Sequence, residues 1–84
     1  MPDVTIRLRY LARYAELLGV ESEELTLPAP ATVGDVVAAL RAARPAAAQL
    51  PAKPLCAVNF CQALWGDPVV AGDEVALLPP MAGG

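Results

Sequence analysis

Apolar and polar residues alternate over residues 4–10, with Val4, Ile6, Leu8 and Tyr10 on one face and Thr5, Arg7 and Arg9 on the other. A period of two sends successive side chains to opposite sides of a pleated strand, so this segment predicts a half-buried first strand. Residues 11–18 are good helix formers and run into Gly19, which suits the left-handed residue that closes a helix. Leu25 and Leu27, two apart and followed by Pro28 and Pro30, predict a second strand over 22–27. The short connection favours antiparallel pairing with the first.

The period then lengthens. Thr32 is a natural helix N-cap, and Asp35 stands three residues on, where its carboxylate can complete a capping box and face the positive end of the helix. Val33, Val36, Val37, Leu40 and Ala43 recur at intervals of three and four, giving one apolar stripe that should pack on a sheet. Pro45 stops this main helix. Residues 46–54, with Pro51 and Pro54 among alanines, read as a connector. Leu55 to Val58 then predicts a strand, Asn59 a turn, and Ala63 to Trp65 a short strand pairing back.

Gly66-Asp67-Pro68 and Ala71-Gly72-Asp73 are turn signals around Val69-Val70, and Glu74 to Leu78 is the last strand, ended by Pro79-Pro80. Asp73-Glu74 reads as a solvated turn. Val75 and Leu77 face one side of the last strand while Ala76 and Leu78 face the other, so it is apolar on both faces. One face should meet the helix; the other is covered by a loop or open to a partner. The order predicts an α+β fold, a mixed sheet of four to five strands on one main helix, with the first and last strands paired centrally. Residues 1–78 form its single domain and residues 79–84 a C-terminal tail.

Composition narrows the chemistry. At 84 residues the chain can hold one modest core. It is 56% hydrophobic, yet no apolar run approaches the roughly 20 residues needed to cross a bilayer. The N-terminus also lacks the basic patch and apolar stretch of a secretory signal. A soluble, cytoplasmic protein without a membrane partner is expected. Six basic against nine acidic residues give a net charge of −3, which argues against nucleic acid as a partner, although Arg7, Arg9, Arg13, Arg41 and Arg44 could form a local patch. The absence of histidine removes the commonest general base and transition-metal ligand. Cys56 and Cys61 match no common zinc or redox spacing and read as reduced thiols, at least one of them buried. No catalytic or metal site is expected in this chain.

The chemistry therefore falls to the tail. Pro79-Pro80-Met81-Ala82-Gly83-Gly84 spans up to about 20 Å when extended. The prolines hold its root extended, and glycines without side chains pass through a narrow channel. Such a stalk delivers a terminal carboxylate to a distant site, provided a partner activates it, typically with ATP. A terminal Gly-Gly alone is more often a frayed end; Pro-Pro-x-x-Gly-Gly after a strand apolar on both faces is more specific.

The run Gly72-Asp73-Glu74-Val75-Ala76-Leu77-Leu78-Pro79-Pro80-Met81-Ala82-Gly83-Gly84 resembles the C-terminus of the small sulfur-carrier subunit of molybdopterin synthase, the MoaD-type family. Ala57-Val58-Asn59, Tyr10-Leu11-Ala12 and Glu16-Leu17-Leu18-Gly19 are similar to the family in order and spacing, so the resemblance covers almost the whole chain. It implies a ubiquitin-like β-grasp fold. It also implies that Gly84 is adenylated by a separate ATP-dependent, E1-like activating enzyme and converted to a thiocarboxylate with sulfur from a donor protein. Pro79, Pro80, Met81, Ala82 and Gly83 would thread into the active site of the large catalytic subunit, and Ala76 with Leu78 would belong to the contact surface. The cargo sulfur would build the dithiolene of molybdopterin from cyclic pyranopterin monophosphate. Two other readings use the same features: a carrier of this fold serving thiamine, cysteine or another thiolated product, and a ubiquitin-like modifier or docking domain, for which Lys53, the sole lysine, is the one side-chain target for self-conjugation.

Overall fold

The computed structural model describes residues 2–80. Strand β1 (Asp3–Tyr10) buries Ile6, Leu8 and Tyr10 and leaves Thr5, Arg7 and Arg9 exposed, as the alternation requires. Helix α1 (Arg13–Leu18) follows and closes at Gly19, whose φ of 80° is left-handed. Strand β2 (Ser22–Pro28) returns antiparallel to β1, with Ile6 opposite Leu25 and Val4 opposite Leu27.

Strand β3 (Ala31–Thr32) leads into helix α2 (Val33–Ala43), and the capping box is present. The Asp35 amide donates to Thr32 Oγ1 at 3.2 Å and the Thr32 amide donates to Asp35 Oδ2 at 3.0 Å. Two more first-turn amides, unpartnered within any helix, are satisfied from a later loop: Val33 donates to the Asp67 carbonyl and Gly34 to that of Trp65, both at 2.9 Å. Val33, Val36, Val37 and Leu40 are buried, but Ala43 is exposed. It is the last residue of α2, and the chain turns away through an extended Arg44.

The connector has more order than its composition suggested. Pro45–Gln49 forms a short 3-10 helix, and Ala47 and Leu50 enter the core. Arg41 holds it there, donating to the carbonyls of Ala47 at 3.0 Å, Leu50 at 3.4 Å and also Pro51. Strand β4 (Leu55–Val58) and strand β5 (Cys61–Ala63) then form a hairpin. The expected return strand at Ala63–Trp65 is shifted, because a two-residue turn puts Cys61 opposite Val58. Trp65 instead lies over α2, so close that a Cβ on Gly34 would stand 2.5 Å from its indole nitrogen. Strand β6 (Pro68–Val69) pairs with β3 in a separate two-stranded ribbon.

Strand β7 (Glu74–Leu78) completes the main sheet, in the order β2-β1-β7-β4-β5. It runs parallel to β1, with Val75 beside Leu8 and Leu77 beside Tyr10, and antiparallel to β4. Val75 and Leu77 are fully buried in one cluster with Ile6, Leu8 and the apolar stripe of α2. The expected central pairing of first and last strands is therefore realised in a five-stranded mixed sheet.

A polar clasp joins the far side of the core. Arg44, just beyond α2, grips Glu23 on β2 through two 2.7 Å hydrogen bonds, and the Tyr10 hydroxyl donates to the same carboxylate. Hydrogen bonding from Arg44, opposed by partial burial and reinforced by Tyr10, holds the Glu23 carboxyl below its usual range. Burial, then Glu23 itself, pushes the Tyr10 phenol well up, so it remains a donor. A carboxyl whose folded value lies below its unfolded one stabilises the fold above the ordinary glutamate pKa of about 4.3, and loses that effect as pH falls through the lower folded value. Glu23→Gln should thus be less stable than the parent at neutral pH, with the gap narrowing as pH falls below the ordinary glutamate range. Urea unfolding of both proteins across that range checks it.

Candidate functional site

The central position of β7 determines where the chain leaves the sheet. The Leu11 amide donates to the Leu77 carbonyl at 3.2 Å, carrying the β1–β7 pairing to the very end of the last strand. Ala12, at a φ of 53°, then turns the chain into α1, which stands beside the exit. Pro79 is half-buried and Pro80 exposed. Pro80 forms one wall of an open groove of ≈ 580 Å³ whose other walls include Arg13, Tyr14, Leu17 and Pro51. Met81, Ala82, Gly83 and Gly84 lie outside the described residues.

The face of the sheet opposite α2 divides in two. On the β1–β2 side it is polar, presenting Thr5, Arg7, Arg9, Glu24 and Thr26. On the β7–β4 side it is apolar: Ala76 pairs with Ala57 and Leu78 with Leu55. Ala76 and Leu78 are half-buried and Leu55 is 45% exposed, so no loop covers this strip. Ala76 and Leu78 thus sit together on an open face, continuous with the root of the tail.

Asn59 closes the upper end of the strip. Its side-chain oxygen accepts from the Glu74 amide at 2.9 Å, its own amide donates to the Glu74 carbonyl at 2.8 Å, and its Nδ2 donates to Asp73 at 3.0 Å. The β4–β5 turn is thereby fastened to the start of β7. Asp73-Glu74, expected to be a solvated turn, is instead structural: Asp73 also accepts from the Val70 amide at 2.8 Å, and Glu74 Oε1 is buried. The sequence reading also missed Phe60, which is 88% exposed beside Asn59. A large aromatic in a two-residue turn, where glycine is usual, was the available signal.

The arginines do not gather into one basic patch. Arg41 and Arg44 are committed to the carbonyls and Glu23 described above, and Arg9 lies 3.7 Å from Glu74. Among the described residues, no group of three or more His, Cys, Asp or Glu could hold a metal ion, and no helix is long and apolar enough to cross a membrane. Cys56 points into the core and Cys61 is exposed on the partner strand of the hairpin.

A central parallel pair of first and last strands, flanked on each side by an antiparallel partner and covered on one face by the main helix α2, defines a ubiquitin-like β-grasp domain, the fold of small sulfur carriers. Residues 8–84 match the ThiS family, and the chain belongs to that family. It is similar to the small archaeal modifier protein SAMP1 of Haloferax volcanii, at 32% identity over 95% of this chain and 99% of that one, with a TM-score of 0.83. A putative molybdopterin converting factor subunit 1 from Pyrococcus furiosus is 26% identical over 93% of this chain and 99% of its own, with a TM-score of 0.80. The complex of subunits 1 and 2 of the molybdopterin-converting factor from Helicobacter pylori 26695 contains a chain of the same fold, 20% identical over 96% of this chain and all of that one, with a TM-score of 0.66.

The two thiols should separate cleanly in reactivity. Burial pushes the Cys56 thiol up to about 11, leaving almost no thiolate near neutral pH, where the thiolate is the nucleophile. Iodoacetamide on the native protein should therefore add a single label, at Cys61, with Cys56 reacting only after denaturation. Peptide mapping reads the result.

Proposed function

We propose that this chain is the sulfur-carrier subunit of a molybdopterin synthase, delivering sulfur as a thiocarboxylate on Gly84. The observation that carries the reading is the Pro79-Pro80-Met81-Ala82-Gly83-Gly84 sequence continuing from the central strand, next to an uncovered apolar strip. Carboxylates resist substitution because their oxygens leave poorly. ATP overcomes this: attack of the Gly84 carboxylate on the α-phosphate forms an acyl-adenylate and releases pyrophosphate, and a sulfur nucleophile then displaces AMP. An E1-like activating enzyme supplies the adenylation site and a donor protein the sulfur. The large catalytic subunit binds the pterin, receives residues 79–84 in its active site, and docks on Ala76 and Leu78.

This chain supplies presentation rather than proton transfer. The prolines favour an extended root, and the side-chain-free Gly83-Gly84 end fits a confined channel. Members of the fold also include the archaeal modifier, at 32% identity, so a second reading deserves a direct arm: attachment of Gly84 to a lysine amine instead of transfer of its sulfur.

Incubation with the activating enzyme, ATP and a sulfur donor should shift the intact mass by one oxygen-for-sulfur exchange, localised to Gly84. An unchanged mass refutes the carrier reading, and an isopeptide-linked product supports the modifier instead. Leu78→Asp should keep the fold yet weaken binding to the large subunit by about tenfold or more, because it puts a charge in a dry contact. Calorimetry with a folded variant of unchanged affinity removes Leu78 from that surface.

A further inference from the structure

The main sheet has two outer strands, and only β2 is long. At the far edge β5 contributes three residues, whereas β2 runs for seven with no neighbour beyond it among the described residues. The Tyr10 amide donates to the Glu21 carbonyl and the Ala29 amide to that of Pro2, so in this antiparallel register the odd-numbered residues of β2 turn their backbone groups to β1. Ser22, Glu24 and Thr26 turn theirs outward, a row of donors and acceptors that another strand would complete. Pro28, without an amide, ends the row.

Two cavities lie between this edge and α2. One, of ≈ 330 Å³, is walled by Leu25 and by Leu40 and Ala43 of α2; the other, of ≈ 360 Å³, by Leu27, Pro28 and Ala39. Leu25 and Leu27 are two strand residues apart, about 7 Å, and Ala39 and Ala43 are four helical residues apart, about 6 Å. The cavities thus repeat at the interval of alternate side chains on a strand. Ala43 closes the apolar stripe of α2 yet is exposed, and Ala39 and Leu25 are only half-buried. Apolar side chains entering here would cover a surface that the fold leaves open.

The unengaged charge along the edge is negative. Glu21 and Glu24 are exposed and belong to no ion pair among the described residues, although Arg7 stands opposite Glu24. Asp35 lines the second cavity, and Arg44, on the first, is held by Glu23. A second copy pairing through β2 would set like charges against each other. We infer that β2 and α2 form a docking groove for an extended segment of another protein, which adds a strand to β2, sends two apolar side chains two residues apart into the cavities, and places a lysine or arginine beside Glu24. Backbone pairing supplies affinity in this mode, and the side-chain pockets supply specificity. β1 separates the edge from β7, and the groove lies on the helix side of the sheet, so the strip of Ala76 and Leu78 stays free. The groove does not depend on sulfur loading.

The test is a chemical-shift titration of the isotopically labelled full chain with acetyl-Thr-Val-Thr-Val-Lys-Lys-amide. Antiparallel pairing sets the two valines opposite Leu27 and Leu25 and the first lysine opposite Glu24. The Ser22, Glu24, Thr26, Ala39 and Ala43 amides should shift in one saturating transition. Replacing both valines by serine should weaken binding by at least about tenfold, and replacing both lysines by glutamate by at least about threefold at low salt. Ala43→Arg, at an exposed helix site, should weaken the valine peptide by about tenfold with an unchanged unfolding midpoint. Glu24→Gln should narrow the gap between the lysine and glutamate peptides. Absence of saturation, equal binding of the serine or glutamate control, or shifts centred elsewhere would overturn the proposal. So would shifts of the same amides with protein concentration alone, which would make a second copy the occupant. Because no probe involves Gly84, failure here is distinguishable from failure of sulfur loading.

Discussion

Everything in this small protein hangs on the parallel pairing of its first strand with its last. β1 and β7 lie side by side at the middle of the sheet, and Leu8, Tyr10, Val75 and Leu77 are buried along their shared face. The contact closes nearly the whole chain into one loop, an entropic cost that grows only slowly with length and is offset by burial of these side chains together with the α2 stripe. It also has a functional consequence. The C-terminal segment departs from a strand paired on both of its edges, so whatever follows Pro80 begins from a fixed point.

Much of this was legible from residue order because local signals agreed with one another. The alternation in β1, the Thr32–Asp35 box, the valine and leucine stripe of α2 and the two-faced β7 each had a single physical reading. What failed were features decided by distant partners. Ala43 continues the apolar stripe but lies beyond the sheet's cover, and the alanine-rich connector is ordered because Arg41 binds its carbonyls. Trp65 reads as a strand residue, yet Gly34 leaves a gap over α2 that its indole fills. Glu74 looked like half of a turn and instead joins Asn59, Arg9 and the cavity beside Phe60.

The surface strip and the tail root form one continuous region. Ala57, Ala76, Leu55 and Leu78 run along it, Phe60 stands at one end and Pro79 at the other. A partner seated on this strip would receive the residues beyond Pro80 in a defined direction. Under the proposed carrier reading that arrangement would separate recognition from chemistry, the sheet face selecting the partner and the terminal glycine carrying the reactive group.

A single-turnover reaction addresses the account most directly. The thiocarboxylated chain would be mixed with the large catalytic subunit and cyclic pyranopterin monophosphate, and the tail's mass and the dithiolene product followed together. The account predicts that the thiocarboxylate reverts to carboxylate as dithiolene appears, a pair of loaded tails being consumed for each product. A thiocarboxylate that survives intact, with no dithiolene formed, would contradict it.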